Sequence, residues 1–463
     1  MTARSRLVLF VLCAANFMVA IDFSILNIAL PSIGTNLHFS EANLQWIATA
    51  FSLPSGGFLL LFGRFGDLAG RRRVFVTGLA VFTLSSLLAA FAWDPAALLA
   101  ARALQGLGAA AIVPTGMALL TTSFAEGPER DRALGIAGSL MAFGFTVGVV
   151  LGGVLTQALG WRSTMALSVI MGAAVSIAAP LLVGESRNPH HSRLDIPGAV
   201  TVTGGLLAAI YALTTAAQSG WGRPGVIAAL TGGVALLVAF LVIESRVDEP
   251  LVSLKVLRRR TVALGNLGGL TAFAMASSVV FLGTLFLQQI HGMSPTGSGL
   301  VFGVMGVAAA IGGAVAPRVV GRFGSPRTLV VSLFAQGVTT AVIALIGRGD
   351  GVAILLIAGV PWAFVQIFAI VAYGVTATSG LANHEQGMAT GLVTTAQQVG
   401  LTVGIPLLSA IAASRSNALQ RAGRSASDGL LSGIHVSIGV DAAILVAVSA
   451  VLAVGLRGLG KRG

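Results

Sequence analysis

Charge is scarce in this chain. Of 463 residues only 10% are Asp, Glu, Lys or Arg, while 55% are hydrophobic; a soluble protein of this size carries roughly 25% charged residues. The deficit excludes an ordinary water-facing globular surface. Cysteine is rarer still: Cys13 alone, so no intramolecular disulfide is possible and redox chemistry is not expected. The only lysines are Lys255 and Lys461. No G-x-x-x-x-G-K-[ST] phosphate loop can therefore exist, and ATP is not the direct energy source. Histidines are few, and the adjacent pair His190 and His191 in "PHHSR" lacks the i, i+4 spacing of a helical metal pair. That stretch reads as a solvated linker, with neither metal nor cofactor expected.

What is present is apolar sequence in long runs. Stretches near 20 residues, the length that crosses a hydrocarbon core of roughly 30 Å, recur from end to end. Fourteen are read, at about 7–30, 44–65, 74–92, 95–123, 133–159, 163–184, 196–217, 225–244, 262–290, 296–316, 327–346, 352–376, 387–412 and 433–456. Leu12 before Cys13 argues against a lipoprotein processing site, and the first apolar run continues to Pro31, so an uncleaved first helix is expected. No connection is long enough for a soluble domain. The longest, 413–432, is rich in Ser, Arg and Gly and reads as an external loop.

The net charge of +12 suggests nucleic acid until the basic residues are placed. Of the 28 Lys and Arg, 21 fall at the termini or in and beside the even-to-odd connections, six fall in the opposite connections, and Arg102 lies inside a span. By the positive-inside rule both termini are cytoplasmic, as an even number of spans requires. The basic surplus thus speaks of a lipid bilayer and excludes a nucleic-acid partner.

Five of the few charges crowd into "GRFGDLAGRRR" (63–73), and a worn copy, "GRFGSPR" (321–327), lacks the acid. Both follow an even span, the second and the tenth. This spacing implies two six-helix halves related by duplication, residues 1–185 and 262–463, with a linker, 186–261, that carries two further spans. Parallel repeats of this kind are a known transporter design, with substrate held near the midplane between halves that rock.

Here the chain resembles a known family, the major facilitator superfamily, in its fourteen-helix branch of drug:proton antiporters. The loop at 63–73 is similar to the superfamily signature between the second and third helices. "AIDFSILNIALPSI" (20–33) resembles the branch's first-helix motif, "RALQGLGAAAIVP" (102–114) its fourth-helix motif, and "GFTVGVVLGG" (144–153) the fifth-helix antiporter motif. Val149 stands where that motif usually has proline. The resemblance implies an all-α membrane fold of fourteen spans and no enzymatic activity. It also implies a conformational latch from Gly63, Arg64, Gly66, Asp67, Gly70, Arg71 and Arg72, in which Asp67 contacts the other half in one state. The antiporter motif falls on Gly144, Gly148, Gly152 and Gly153. "GLGAAA" (106–111) also matches a loose dinucleotide fingerprint, but it lies inside an apolar span with no strand before it and reads as small-residue helix packing.

The residues themselves point to a second site. Of 16 acidic residues, 14 lie in or beside connections, leaving Asp22 and Asp441 within spans. An acid in hydrocarbon costs roughly 2.5–3.5 kcal/mol and persists where it faces a cavity or a partner. Counted from the outer span ends at 1.5 Å per residue, Asp22 and Arg102 lie at about 12 and 10 Å depth, close enough to share a cavity. A guanidinium beside a desolvated carboxyl is what proton coupling needs. The bland readings are snorkelling for Arg102 and a structural hydrogen bond for Asp22; Asp441 reads as peripheral. Asn27, Gln45, Gln105, Asn266, Gln288 and Gln366 are candidate lining for a substrate cavity, although most amides in spans bridge helices.

The expected function is proton-coupled export of hydrophobic or amphipathic drugs or secondary metabolites by alternating access. The partners would be the small amphipathic substrate and protons, and the protein a monomer in the cytoplasmic membrane. One rival is uptake or facilitated transport of a small polar metabolite. Another is a membrane protein that transports nothing, such as an integral-membrane enzyme or a lipid-handling protein, and no His/Asp/Glu cluster within the spans supports it.

Overall fold

The computed structural model describes residues 3–39, 43–124, 128–186, 195–247, 252, 254–381 and 383–457; His190, His191 and Lys461 lie outside them. The described residues are helical and contain no strand. The first part of the chain holds α1 (Ala3–Asn36), α2 (Gln45–Gly57), α3 (Leu59–Ala69), α4 (Arg71–Ala90), α5 (Pro95–Ser123), α6 (Pro128–Leu159) and α7 (Arg162–Leu182). Then come α8 (Ile196–Ser219), α9 (Pro224–Glu244), the short α10 (Leu254–Leu257) and α11 (Arg260–Leu285), which ends in a π-helical turn, Phe286–Ile290. The last five are α12 (Pro295–Phe323), α13 (Ser325–Ile343), α14 (Gly351–Thr378), α15 (Asn383–Arg421) and α16 (Ala426–Gly455).

Local chemistry sets several boundaries. α5 starts on an Asp94 side chain that accepts from the Ala97 N–H at 2.7 Å, with Pro95 in the first turn, where its missing N–H costs nothing. α16 starts likewise on Ser425, whose hydroxyl accepts from Asp428 N–H at 3.1 Å. The second span is broken: α2 and α3 meet at 46° around Phe58. Pro54 removes one backbone donor just before two glycines, and the Phe58 N–H closes the turn on the Pro54 carbonyl at 3.1 Å. Thirteen described helices are long and apolar enough to cross a membrane, fourteen if the bent pair is one span.

The expected external loop at 413–432 is mostly helix. α15 runs on to Arg421 and α16 begins at Ala426, leaving residues 422–425 as the connection. Hydropathy marks where the bilayer stops, whereas Arg, Asn, Gln and Ala continue a helix into water at little cost. α1 too runs past Pro31, to Asn36, with Ile33 buried.

The chain divides into two compact units. One comprises residues 1–208, 232–251 and 294–300, the other 209–231, 252–293 and 301–463, so that α8 and α9 are each shared out between them. In the first unit α1 packs on α6 and α7, α4 on α5 and α7, and α2 on α5. Its interior is apolar, with Leu12, Met18, Phe51, Phe75, Phe82 and Leu119 buried. Its outside is apolar too: Ile170, Ile177 and Leu181 on α7 are exposed, the reverse of a soluble surface and the mark of a lipid-facing one. In the second unit α11 packs on α14, α15 and α16, and α13 lies between α14 and α16.

Candidate functional site

Asp22 of α1 and Arg102 of α5 form an ion pair in the first unit. Arg102 Nη1 donates to Asp22 Oδ2 at 2.6 Å, and the two side chains are 1% and 0% exposed. The same Nη1 donates to Gln105 Oε1 at 2.9 Å. Gln105 Nε2 in turn donates to Ser86 Oγ of α4 at 2.7 Å and to Asp22 Oδ1 at 3.3 Å, while Ser168 of α7 donates to Asp22 Oδ1 at 2.9 Å. The guanidinium lies over the Phe51 ring of α2, 4.4 Å from its centroid. Five helices thus place one residue or more around a single carboxylate. Arg102 is the largest of the fully buried side chains, so it does not snorkel.

The sequence brought these charges together by counting from span ends, and that count changes. α1 extends 14 residues beyond Asp22, about 21 Å at 1.5 Å per residue, and its end at Asn36 is tied by the Arg162 guanidinium to the Ala92 carbonyl just before α5. Gln105 moves as well. Expected in a substrate cavity, it is fully buried and committed to Asp22, Arg102 and Ser86. Ser86, Ser168 and Phe51 carried no sequence signal, because hydroxyls and phenylalanines are common in apolar helices.

The glycines of the antiporter motif lie along the helix that carries Asp22. A Cβ on Gly144 would lie 2.8 Å from the Phe17 ring, one on Gly148 2.8 Å from the Ile21 carbonyl, and one on Gly152 2.7 Å from the Ile25 carbonyl. These three positions, four apart on α6, let the backbones of α1 and α6 touch along the turns flanking Asp22. Gly153 faces elsewhere, against Pro295 at the start of α12, whose Thr296 hydroxyl donates to the Gly153 carbonyl at 3.1 Å. α6 runs unbroken through the buried Val149.

The loop at 63–73 is largely helical and turns at Gly70, whose φ of +109° is open to glycine and strained for other residues. Gly63 packs on Pro114 and Gly66 on Thr115 of α5. Asp67 accepts from Arg71 Nε at 2.8 Å, across the Gly70 turn. The residues following α7 receive the rest. Arg71 N–H donates to the Ser186 carbonyl and its Nη1 to Ser186 Oγ at 3.3 Å. Arg72 N–H donates to Glu185 Oε1 at 3.0 Å, its Nη1 reaches the Val183 carbonyl at 3.3 Å, and Arg73 lies 3.8 Å from Glu185. Arg64 is half-buried on α3. Glu185 and Ser186 as the loop's anchor were not legible from the motif.

The remaining amides are scattered over both units. Asn27 donates to the Phe23 carbonyl at 3.1 Å and Asn266 to the Val262 carbonyl at 2.8 Å, each leaving a buried Oδ1 with no protein partner. Gln45 is buried at the start of α2, Gln366 is half-buried in α14, and Gln288 is half-buried in the π-helical turn. Only Gln105 of the six joins the charged cluster.

Lipid-length apolar helices with an apolar exterior define a polytopic helical membrane protein. The chain belongs to the Major Facilitator Superfamily, whose family model matches residues 12–405. It is 38% identical to the cephamycin export protein of Amycolatopsis lactamdurans over 424 residues, covering 88% of this chain and 84% of that protein. It is 37% identical to the puromycin resistance protein of Streptomyces alboniger over 466 residues, covering 96% and 90%. Among solved structures, an auto-inhibited peptide transporter of the POT family superposes with a TM-score of 0.72 over 99% of this chain and 97% of that one, at 16% identity. That likeness shows the fold.

Proposed function

We propose that this protein exports apolar or amphipathic small molecules of the antibiotic type in exchange for protons, as a monomer in the cytoplasmic membrane with both termini on the cytoplasmic side. The relatives named above supply the substrate class. The observation that carries the proton is the sealed Asp22–Arg102 pair.

Desolvation makes a buried ion pair a poor device for stability alone, yet removing one partner costs roughly 3–5 kcal/mol because the other charge is left uncompensated. Protonating Asp22 is such a removal. Arg102 then keeps Gln105 Oε1 and the Phe51 face, but both contacts are already present with Asp22 ionised and offset none of the loss. The shortfall favours a conformation in which the guanidinium is rehydrated or meets an anionic or dipolar group. Proton uptake is thereby tied to rearrangement. Asp22 has 0% exposure in the present conformation, so the proton exchanges with water in another one, as alternating access requires. Moving the charge through the membrane field adds about 2.3 kcal/mol per charge per 100 mV.

The test uses purified protein in liposomes with an imposed pH gradient and two probes, puromycin and a cephamycin. Wild type is expected to concentrate at least one of them, and Asp22→Asn to let it equilibrate without accumulation. An Asp22→Asn protein that still concentrates the probe removes Asp22 as the coupling group. Wild type that moves neither probe, and gives cells no uncoupler-sensitive resistance to a wider compound panel, overturns the exporter reading.

A further inference from the structure

Asp441 lies midway along α16 with 0% exposure, and neither of its carboxyl oxygens has a protein hydrogen-bond partner. The mechanism above does not use it. α16 packs on α13 at Gly337, where an added Cβ would lie 3.2 Å from the Ala442 carbonyl, 3.2 Å from Leu445 Cβ and 2.8 Å from Val446 Cγ2. Further along, His435 pairs through its ring nitrogen with the Ile346 carbonyl just beyond α13. The two helices are therefore antiparallel, and this register sets Thr340 level with Asp441 and Gln336 one turn away. Thr340 and Gln336 are also 0% exposed, and Thr340 Oγ1 and both Gln336 amide atoms have no protein partner. Five buried polar atoms without a protein partner thus lie at one level of these two facing helices, where a buried polar group ordinarily has one.

No charge compensates the acid. α11 has no ionisable group between Arg260 and its end, the π-helical turn after it has none, and α13 has none after Arg327. α15 has none from Gly391 to Ser414, and on α16 the nearest are His435 and Arg457, outside the turns that flank Asp441. An ionised carboxylate with neither cation nor donor in an apolar interior costs more than a fold offsets, so the group is neutral here. The duplicated architecture supplies a second, independent indication. Thr340 stands 15 residues past the first residue of α13, as Ser86 stands 15 past the first residue of α4; each helix follows its own GRFG copy. In the first half Ser86, on the third span, and Ser168, on the sixth, converge on the Asp22 cluster. In the second half Thr340 and Asp441 occupy the third and sixth spans.

We infer that Asp441, Gln336 and Thr340 form a second proton-binding site, the counterpart in the second half of the Asp22 cluster in the first. In this conformation the carboxyl is neutral, and the Gln336 amide and Thr340 hydroxyl lie ready to solvate the carboxylate once the seam opens. The inference rests on the proton-driven reading above and adds a second coupled proton to it.

In liposomes holding a gradient of one pH unit, each coupled proton multiplies the limiting accumulation about tenfold. With puromycin as probe, Asp441→Asn is expected to lower accumulation about tenfold while downhill movement persists, and Asp22→Asn to abolish accumulation, because without the Asp22–Arg102 pair neither proton is tied to the rearrangement. Unchanged accumulation in Asp441→Asn beside an uncoupled Asp22→Asn overturns the second site alone; an Asp22→Asn protein that stays fully coupled overturns the reading beneath it. A measurement on wild type stands apart from folding of the variant and from the choice of substrate. Dicyclohexylcarbodiimide attacks protonated carboxyls in apolar surroundings, and peptide mass spectrometry is expected to find its adduct on Asp441 at neutral pH and less of it at alkaline pH. Absence of that adduct overturns the site.

Discussion

Asp22 and Asp441 are both wholly enclosed, one in each compact unit, yet Asp22 accepts hydrogen bonds from Arg102, Gln105 and Ser168 while Asp441 accepts none from the protein. Two strategies for keeping a carboxyl out of water stand side by side. One holds the charge and surrounds it with a cation and donors; the other gives the charge up. A cluster of the first kind depends on its cation and donors staying in place, and a group of the second kind on its seam staying closed.

The difference can be broken from its charged side first. Arg102→Met is expected to cost roughly 3–5 kcal/mol by leaving Asp22 without its cation, read as a lowered melting temperature of the detergent-purified protein or as failed insertion. Adding Asp22→Asn should recover most of that loss, and an Arg102→Met protein as stable as wild type would show that the pair compensates nothing. Ser168→Ala removes one donor to a charged acceptor and should cost roughly 1.5–3 kcal/mol, checked in the same melt; no change would place Ser168 outside the cluster. Asp441→Asn exchanges one neutral polar group for another. Its melting temperature should move by less than a single hydrogen bond, roughly 1 kcal/mol, supplies, and a drop as deep as that of Arg102→Met would mean that Asp441 carries charge after all.

The sequence exposes charges far better than it exposes their surroundings. Asp22 and Arg102 stood out because an ionisable residue inside an apolar run is rare and costly. Ser86, Ser168 and Phe51 did not, since nothing local distinguishes a hydroxyl aimed at a carboxylate from one bonded to its own helix, as that of Thr376 is to Ala372. Gln336 passed unnoticed for the same reason. The spans were legible because bilayer thickness imposes a length, and α5 falls where the sequence put it, Pro95 to Ser123. Helix ends were less so: α15 outruns its apolar segment because hydrogen bonding continues where hydropathy stops. The bend at Phe58 had its cue in Pro54, but the angle depends on tertiary packing.

The backbone contact between α1 and α6 has a mechanical side. Where Gly144, Gly148 and Gly152 meet Phe17, Ile21 and Ile25, the glycines bring α6 close against the main chain of α1, and α6 has no proline at Val149. A displacement of α6 could not leave α1 in place without breaking these contacts, so it would carry Asp22 with it. The distance from Asp22 to Arg102 on α5 would change with it.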